Sequence, residues 1–574
     1  MLKLLKNLKK YKWVVVIIFL LVFIQALCDV YLPNLMSNIV DIGIINNDKA
    51  YILKIGFIML GVSLIGVIAT ILASYFGAKV AMGFGRDIRE KVFEQVETFS
   101  LKEVNDLGVS SLITRTTNDV TQIQQVLIIM LRMMLYAPMV AIGATIMAIR
   151  KDSKLSLIIL VSIPILILSI YLIASKAIPL FKKMQKNVDK LNRVLRENLT
   201  GIRVIRVFNK YELEKQKFEK SSFQLSDIDI KANRTITLLM PIMMLLVNLS
   251  IIAVVWFGGI RIDKGNMQVG DLIAFIQYLT QIMFALMMLS MMFVMVPRAS
   301  ASADRINEIL GKKSEIYSKE KAIKETEKTG YLEFKNVSFY YDENSEKVLD
   351  NINFTSGPGE TTAIIGGTGS GKSTLIKLIP RLFEVNEGEV LVDGINVKDM
   401  DLKVLRDKIG YVPQKSVLFT GTIKENIVYG DDDASNDDIK SAIDISQSKE
   451  FINEKKDREN SYIAQGGNNV SGGQKQRLAI ARAIVKKPEI YIFDDSFSAL
   501  DFKTDKKLRE ALKEETKKST VIIVAQRVST VINADRIIVL DEGKVIKIGT
   551  HKELLETCDI YKEIVYSQLS KEEI

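Results

Sequence analysis

The sequence predicts an α-helical membrane domain of six spans fused to an α/β domain at its C-terminal side. Three observations predict it. Six long apolar stretches, near residues 13–32, 52–82, 125–148, 155–175, 236–260 and 271–297, approach or exceed the roughly 20 residues that cross a bilayer as a helix. No such stretch recurs from Lys312 onward, although 48% of the 574 residues are hydrophobic and 25% charged, so apolar and polar segments are segregated along the chain. The third is the segment "AIIGGTGSGKST", Ala363 to Thr374, with a β-type apolar run before it and a helical pattern, "LIKLIPRLF", after it. The membrane domain is placed at 1–311, a linker at 312–330 and the α/β domain at 331–574.

Charge orients the spans. Lys3, Lys6, Lys9, Lys10 and Lys12 precede the first span with no acid among them, which places the N-terminus in the cytoplasm by the positive-inside rule. The long connection between spans four and five, rich in basic residues from Lys182 to Arg206, agrees with the long one between spans two and three. Arg150, Lys151 and Lys154, in a short loop, run against the rule. Both termini and the α/β domain are thus expected on the cytoplasmic side of a multi-pass protein of the cell membrane. A basic face beside anionic lipid accounts for the net charge of +10 without nucleic acid as a partner. No small-residue cleavage site follows the first apolar run, so it reads as an uncleaved span. Two cysteines, Cys28 and Cys558, and one histidine make neither a disulfide framework nor a metal cluster.

"GGTGSGKST" carries the chemistry: Gly366, Gly367, Thr368, Gly369, Ser370, Gly371, Lys372, Ser373 and Thr374 fit a phosphate-binding loop between a strand and a helix. The glycines let backbone N–H groups wrap phosphates, Lys372 offers a point charge, and Ser373 can ligate Mg²⁺. Asp494, at the end of the apolar run "IYIF", supplies a second carboxylate on the metal side.

The segment "NVSGGQKQRLAIARAIVKKPEIYIFDD" narrows the choice among nucleotide-hydrolysing classes. Ser471, Gly472, Gly473 and Gln474 resemble the signature of ATP-binding cassette (ABC) transporters, and the resemblance covers essentially the whole chain. It implies that Tyr341 in "VSFYY" stacks on adenine, that Gln414 in "VPQKSVLFTGTIKENI" meets both Mg²⁺ and the membrane domain, and that Asp501 in "SALD" acts across a subunit boundary. "SSLITRTTNDVTQ" and "LRENLTGIRVIRVFNKYELE" look like the cytoplasmic extensions of exporters, each carrying a coupling helix. Six spans with one nucleotide domain make a half-transporter. In this family each ATP site takes the phosphate loop of one domain and the signature of the other, so a dimer is implied.

Three positions depart from the family pattern. Asp495 stands where a glutamate usually polarises the attacking water, and Gln526 in "IIVAQRVSTVINADRIIVL" stands where a histidine is usual. Gln465 replaces a glutamate that often meets the coupling helices. Aspartate is one methylene shorter than glutamate, and glutamine has no titratable proton. The chain therefore resembles the degenerate-site subunit of bacterial heterodimeric multidrug exporters: an ATPase subunit whose own site binds Mg-ATP and turns it over slowly. Its signature would serve a second half-transporter that keeps the glutamate and histidine. A homodimeric lipid or peptide exporter with a working Asp495, and an ATP-gated regulatory subunit, are the alternatives.

The transported molecule is expected to be a hydrophobic or drug-like small molecule. Gln277, Gln281, Phe284, Met288, Met291 and Met295 recur at helical spacing along the sixth span and form a candidate cavity wall, with plain helix packing as the other reading. Arg132 in "LIIMLRMMLY" faces that cavity or snorkels to the interface. Asp41, directly after the first span, reads as a loop aspartate in water, with a hydrogen bond across an external gate as the alternative. His551 in "GTHKELLE" reads as structural.

Overall fold

The computed structural model describes residues 2–326, 329–342 and 345–569. The chain divides into two compact units, Met1–Val96 with Ser110–Lys312, and Glu97–Val109 with Lys313–Ile574.

The principal helices of the N-terminal half are α1 (Lys12–Asn38), α2 (Lys49–Glu97), α3 (Leu101–Leu107), α4 (Val120–Lys151), α5 (Leu157–Thr200), α6 (Tyr211–Thr237), α7 (Leu239–Asp263) and α8 (Val269–Gly311). Six segments among the described residues are helical, long and apolar enough to cross a membrane. The helices overrun their apolar stretches. α2 has 49 residues and is about 70 Å long at 1.5 Å per residue, against a hydrocarbon core of about 30 Å. The long connections of the sequence are thus continuations of the spans.

Short loops close the opposite ends with polar contacts. Lys151 pairs with Asp271 at 2.7 Å and donates to Ser37 at 3.0 Å, and Asp152 is ion-paired with Arg261. At least one of the basic residues that run against the positive-inside pattern is therefore neutralised locally. Asp41 is a correction to the sequence reading: it is 8% exposed, not a loop residue in water. Its Oδ1 accepts from the backbone N–H of Gly270 at 2.6 Å and its Oδ2 from Ser37 at 3.1 Å, so it satisfies an orphan donor at the start of α8 from within the same chain. Asp41→Ala leaves that N–H buried and unpaired, a cost of about 1–3 kcal/mol. The expected result is a lower first thermal transition of the purified protein, by several degrees.

The second unit is built on two sheets. β1 (Leu332–Phe339), β2 (Leu349–Ser356), β4 (Glu387–Val392) and β5 (Ile395–Asn396) form an antiparallel sheet in the order β2-β1-β4-β5. β3 (Thr361–Ile365), β6 (Ile409–Val412), β9 (Ile490–Asp494), β10 (Thr520–Val524), β11 (Arg536–Asp541) and β12 (Lys544–Gly549) form the main sheet in the order β12-β11-β3-β10-β9-β6. A two-residue pair, β7 (Gly421–Thr422) with β8 (Tyr462–Ile463), completes the strands. β3, β10, β9 and β6 run parallel. Their side chains alternate between two cores: Tyr491 and Phe493 enter one, Ile490 and Ile492 the other. Burial on both faces is why these strands read as continuous apolar runs.

The short helix α3 belongs to this second unit. Ser100 and Glu103 form a capping box at its start, and Glu103, almost fully buried, also accepts from the backbone N–H of Glu315 at 3.2 Å.

Candidate functional site

Three neighbouring parallel strands end on one edge of the main sheet, and ligands bind outside the carboxyl ends of such strands. β3 runs into Gly366, β9 ends at Asp494, and β10 leads through Ala525 to Gln526. The crevice formed there is lined by Thr368, Gly369, Gly371, Lys372, Ser373, Thr374, Gln414, Asp494, Asp495 and Gln526, with Val348 and Val524.

Two glycines of the loop have no alternative. A Cβ on Gly366 would lie 1.9 Å from the carbonyl of Leu540, and Gly371, at φ +96°, is the left-handed N-cap of the helix α9 (Lys372–Leu378). Lys372 is buried at the start of that helix and donates to the carbonyls of Gly366 at 2.9 Å and Gly367 at 2.6 Å, and to Ser370 at 3.3 Å. Burial pushes its ammonium below the ordinary lysine range, with Asp495 and Asp494 opposing.

The two aspartates are held differently. Asp494 is 2% exposed; its Oδ1 accepts from the Ser373 hydroxyl at 2.9 Å and its Oδ2 from Tyr411 at 3.5 Å. Asp495 stands half-buried in the left-handed region at φ +49°, a conformation in which Asp is among the better tolerated residues. Its backbone N–H donates to the Val524 carbonyl at 2.9 Å, and its own carbonyl accepts from Ser498 at 2.9 Å. Gln414 and Gln526 both direct Nε2 at the same oxygen, Asp495 Oδ2, at 3.3 and 3.4 Å. Burial raises both carboxyls above the usual carboxylate range, against the hydrogen bond from Ser373 at Asp494 and that from Gln414 at Asp495.

Tyr341 stands beside the loop rather than in it. Its ring packs edge-on against Phe339 at 5.0 Å and Phe383 at 5.3 Å, its hydroxyl lies 2.9 Å from Thr374 Oγ1, and the residue is 41% exposed.

Two family models match the chain: the ABC transporter transmembrane region over residues 15–286 and the ABC transporter model over residues 349–498. An uncharacterized ABC transporter ATP-binding protein of Mycobacterium tuberculosis is 41% identical over 567 residues, 98% of this chain and 97% of that one. This chain belongs to the ABC transporters. YfiB of Bacillus subtilis, another uncharacterized ABC transporter ATP-binding protein, is 39% identical over 99% of both chains. The fold is that of a bacterial Atm1-family ABC exporter solved with ATP bound, at a TM-score of 0.83 and 24% identity over 98% of this chain and 99% of that one. The chain is thus an ABC transporter with the fold of an exporter, with six segments among the described residues apolar enough to cross a membrane and an α/β domain that binds ATP and couples its hydrolysis to transport.

In this transporter the signature residues are not among those that line the crevice around Lys372. Ser471 is the exposed N-cap of α10 (Gly472–Val485): its Oγ accepts from the N–H of Gln474 at 3.3 Å, and Gln474 Oε1 accepts from the N–H of Ser471 at 3.0 Å. Asp501 caps α11 (Phe502–Glu515) by accepting from Thr504 at 3.0 Å. Neither Ser471, Gly472, Gly473, Gln474 nor Asp501 is among the described residues lining the crevice. Gln465 is exposed on a short turn. His551 lies 2.8 Å from the Tyr561 hydroxyl in the C-terminal helices, outside the crevice.

The membrane candidates separate. Gln277 and Phe284 are exposed on α8, Met288 and Met295 are partly buried, and the Met291 side chain lies outside the described residues. Gln281 turns inward, donating from Nε2 to the Asp29 carbonyl at 2.9 Å, and Arg132 is exposed. Sequence reasoning singled out neither Tyr411, the second partner of Asp494, nor Asp29. An acid inside the apolar run 13–32 was the available signal for Asp29; nothing in "GYVPQ" marks Tyr411.

Proposed function

We propose that this exporter is one subunit of a heterodimer that moves drug-like or lipophilic molecules out across the cell membrane, and that its own ATP site is the slow one. The observation that carries this is Asp495: a carboxylate one methylene short of glutamate, tied at one oxygen to two amides. The amide of Gln526 carries no titratable proton. The chain's one histidine is His551, engaged with Tyr561, so no imidazole of this chain serves the site.

The residue roles follow from the same reading. Gly366 to Thr374 cradle the phosphates of ATP, Tyr341 offers its exposed ring to the adenine, and Ser373, Asp494 and Gln414 would hold Mg²⁺. The fit is supported by the buried Asp494 carboxylate with the Ser373 hydroxyl at 2.9 Å. When bound, the ion neutralises phosphate charge. Ser471 to Gln474 and Asp501 complete the partner's site, a reading supported by their absence from the lining of this chain's own crevice.

A second surface supports assembly from two chains. The tip of the connection between α5 and α6 exposes Leu199, Val204, Val207 and Phe208, with Val207 79% and Phe208 67% accessible. Apolar groups clustered so densely at a polar, basic end call for a cover. The basic residues of this end, and of the N-terminus, support a cytoplasmic position for it and for the nucleotide domain. The substrate is drawn to the α8 face of Gln277, Gln281, Phe284, Met288 and Met295, with Met291 and Arg132 as further contacts.

ATPase activity of the chain purified alone tests the reading. The expected turnover is at background, rising by about 10²-fold or more once the partner supplies a complete catalytic site. Robust turnover without a partner would contradict the heterodimer.

A further inference from the structure

α1, α4 and α8 meet in one hydrophobic cluster that joins Ala26 and Val30, Val140, and Tyr278 and Ile282. Beside this cluster α1 carries a partly buried carboxylate. Asp29 lies inside the apolar run 13–32, and its Oδ2 accepts from the Tyr136 hydroxyl at 2.6 Å. No cation pairs with it among the described residues, and its Oδ1 has no hydrogen-bond partner there. Arg132, one helical turn from Tyr136, is exposed and forms no ion pair with it.

An ionisable group among spans is costly and is retained where a partner of opposite charge can reach it. The groups around Asp29 narrow what that partner is. Gln25, one turn earlier on α1, has a buried Oε1 with no hydrogen bond. Gln281 donates its amide N–H to the Asp29 carbonyl, leaving its own Oε1 buried and unpaired. Tyr278, one turn from Gln281 and fully buried, has an unpaired hydroxyl. Two buried amide oxygens thus lack donors in one region of the spans, beside the Oδ1 of the partly buried Asp29. Unpaired buried polar atoms are rare in native proteins and each asks for a partner.

We propose that Asp29, with Gln25, Tyr278 and Gln281, forms the binding site for the positively charged nitrogen of an amphipathic organic ammonium compound. The ammonium supplies the counter-charge to Asp29 and N–H donors to the free oxygens. The apolar body of the ligand packs on the adaptable Met288 and the aromatic Phe284 further along α8. A lone carboxylate among amides provides too few charged ligands for a metal ion, and its charge repels an anion.

The site deepens the export reading and rests on it only for transport; binding can be tested separately. The probe is dansylcadaverine, a fluorescent primary ammonium, against its neutral N-acetyl derivative, titrated onto the full-length transporter in its native assembly in phosphatidylcholine nanodiscs. The ammonium is expected to bind at least about tenfold more tightly, the scale of a desolvated charge pair. Asp29→Asn is expected to bring the two probes to within about twofold by weakening the ammonium alone, and Asp29→Glu to keep the preference. Should Asp29→Asn not fold, Asp29→Glu and the wild type carry the comparison. Equal binding of both probes by the wild type, or an unchanged preference in Asp29→Asn, overturns the proposal. Preference for the ammonium without its ATP-driven movement in sealed vesicles leaves the site standing and counts against the export reading.

Discussion

Replacing Asp495 by glutamate together with Gln526 by histidine is expected to raise ATP turnover at this chain's own site by about 10²- to 10⁴-fold, the range that general-base catalysis spans. Strand β9 fixes where the Asp495 backbone sits, through its N–H to Val524 and its carbonyl to Ser498. The carboxylate therefore ends one methylene short of the reach a glutamate would have. Its Oδ2 is also occupied by two amides at 3.3 and 3.4 Å. Glutamate extends the reach, and histidine removes one amide and adds a group that can carry charge. The effect is read as phosphate release from the assembled transporter with the catalytic glutamate of the proposed partner changed to glutamine, so that this chain's site alone contributes. A double variant that stays at background would show that reach and charge at these two positions do not limit the site.

The second large effect comes from a residue that contributes nothing to its own crevice. Gly472→Asp is expected to lower ATP hydrolysis by the assembled transporter at least about 10²-fold. Gly472 opens α10 in an exposed position, and an added Cβ would meet nothing within 4 Å in this chain, so the substitution leaves the fold undisturbed. The new carboxylate stands where a helix N-terminus offers N–H groups to a phosphate, and repels it. Gly473 is a poorer choice, because its Cβ would press to 3.1 Å on the Ala499 carbonyl. ATP binding at the Lys372 loop, measured separately, is expected to persist. Hydrolysis at the wild-type rate in Gly472→Asp would mean that this signature serves no working site.

Much of the nucleotide domain was legible because its signals are local. β3, β9 and β10 read as unbroken apolar runs because each is buried on both faces, and each delivers its functional residue at the strand end. The glycine spacing around Lys372 marks the loop for the same reason: the backbone there needs a left-handed turn and a close approach to Leu540. The membrane unit was legible only as spans. What gives its charges meaning joins residues far apart in the chain: Arg261 with Asp152, 109 positions away, Tyr136 with Asp29, 107 away, and Ser37 with Asp271, 234 away. Asp41 illustrates the cost. In sequence it follows a span and reads as hydrated; in the fold it is buried by the start of α8, whose free N–H it accepts. The exposed Gln277 and the inward Gln281 share a helical spacing, and only the packing of α1 against α8 separates their surroundings.

The most direct test of the asymmetric transporter compares two conservative substitutions in the assembled protein, in vesicles, for ATP hydrolysis and efflux of a fluorescent drug. One is Glu→Gln at the partner's catalytic position; the other is Asp495→Asn here. The account predicts that the partner substitution abolishes both activities, while Asp495→Asn leaves hydrolysis within about threefold of wild type, because general-base catalysis worth about 10²-fold or more resides in the partner. If Asp495→Asn is as damaging as the partner substitution, the short acid is a working base and the asymmetry proposed here is wrong.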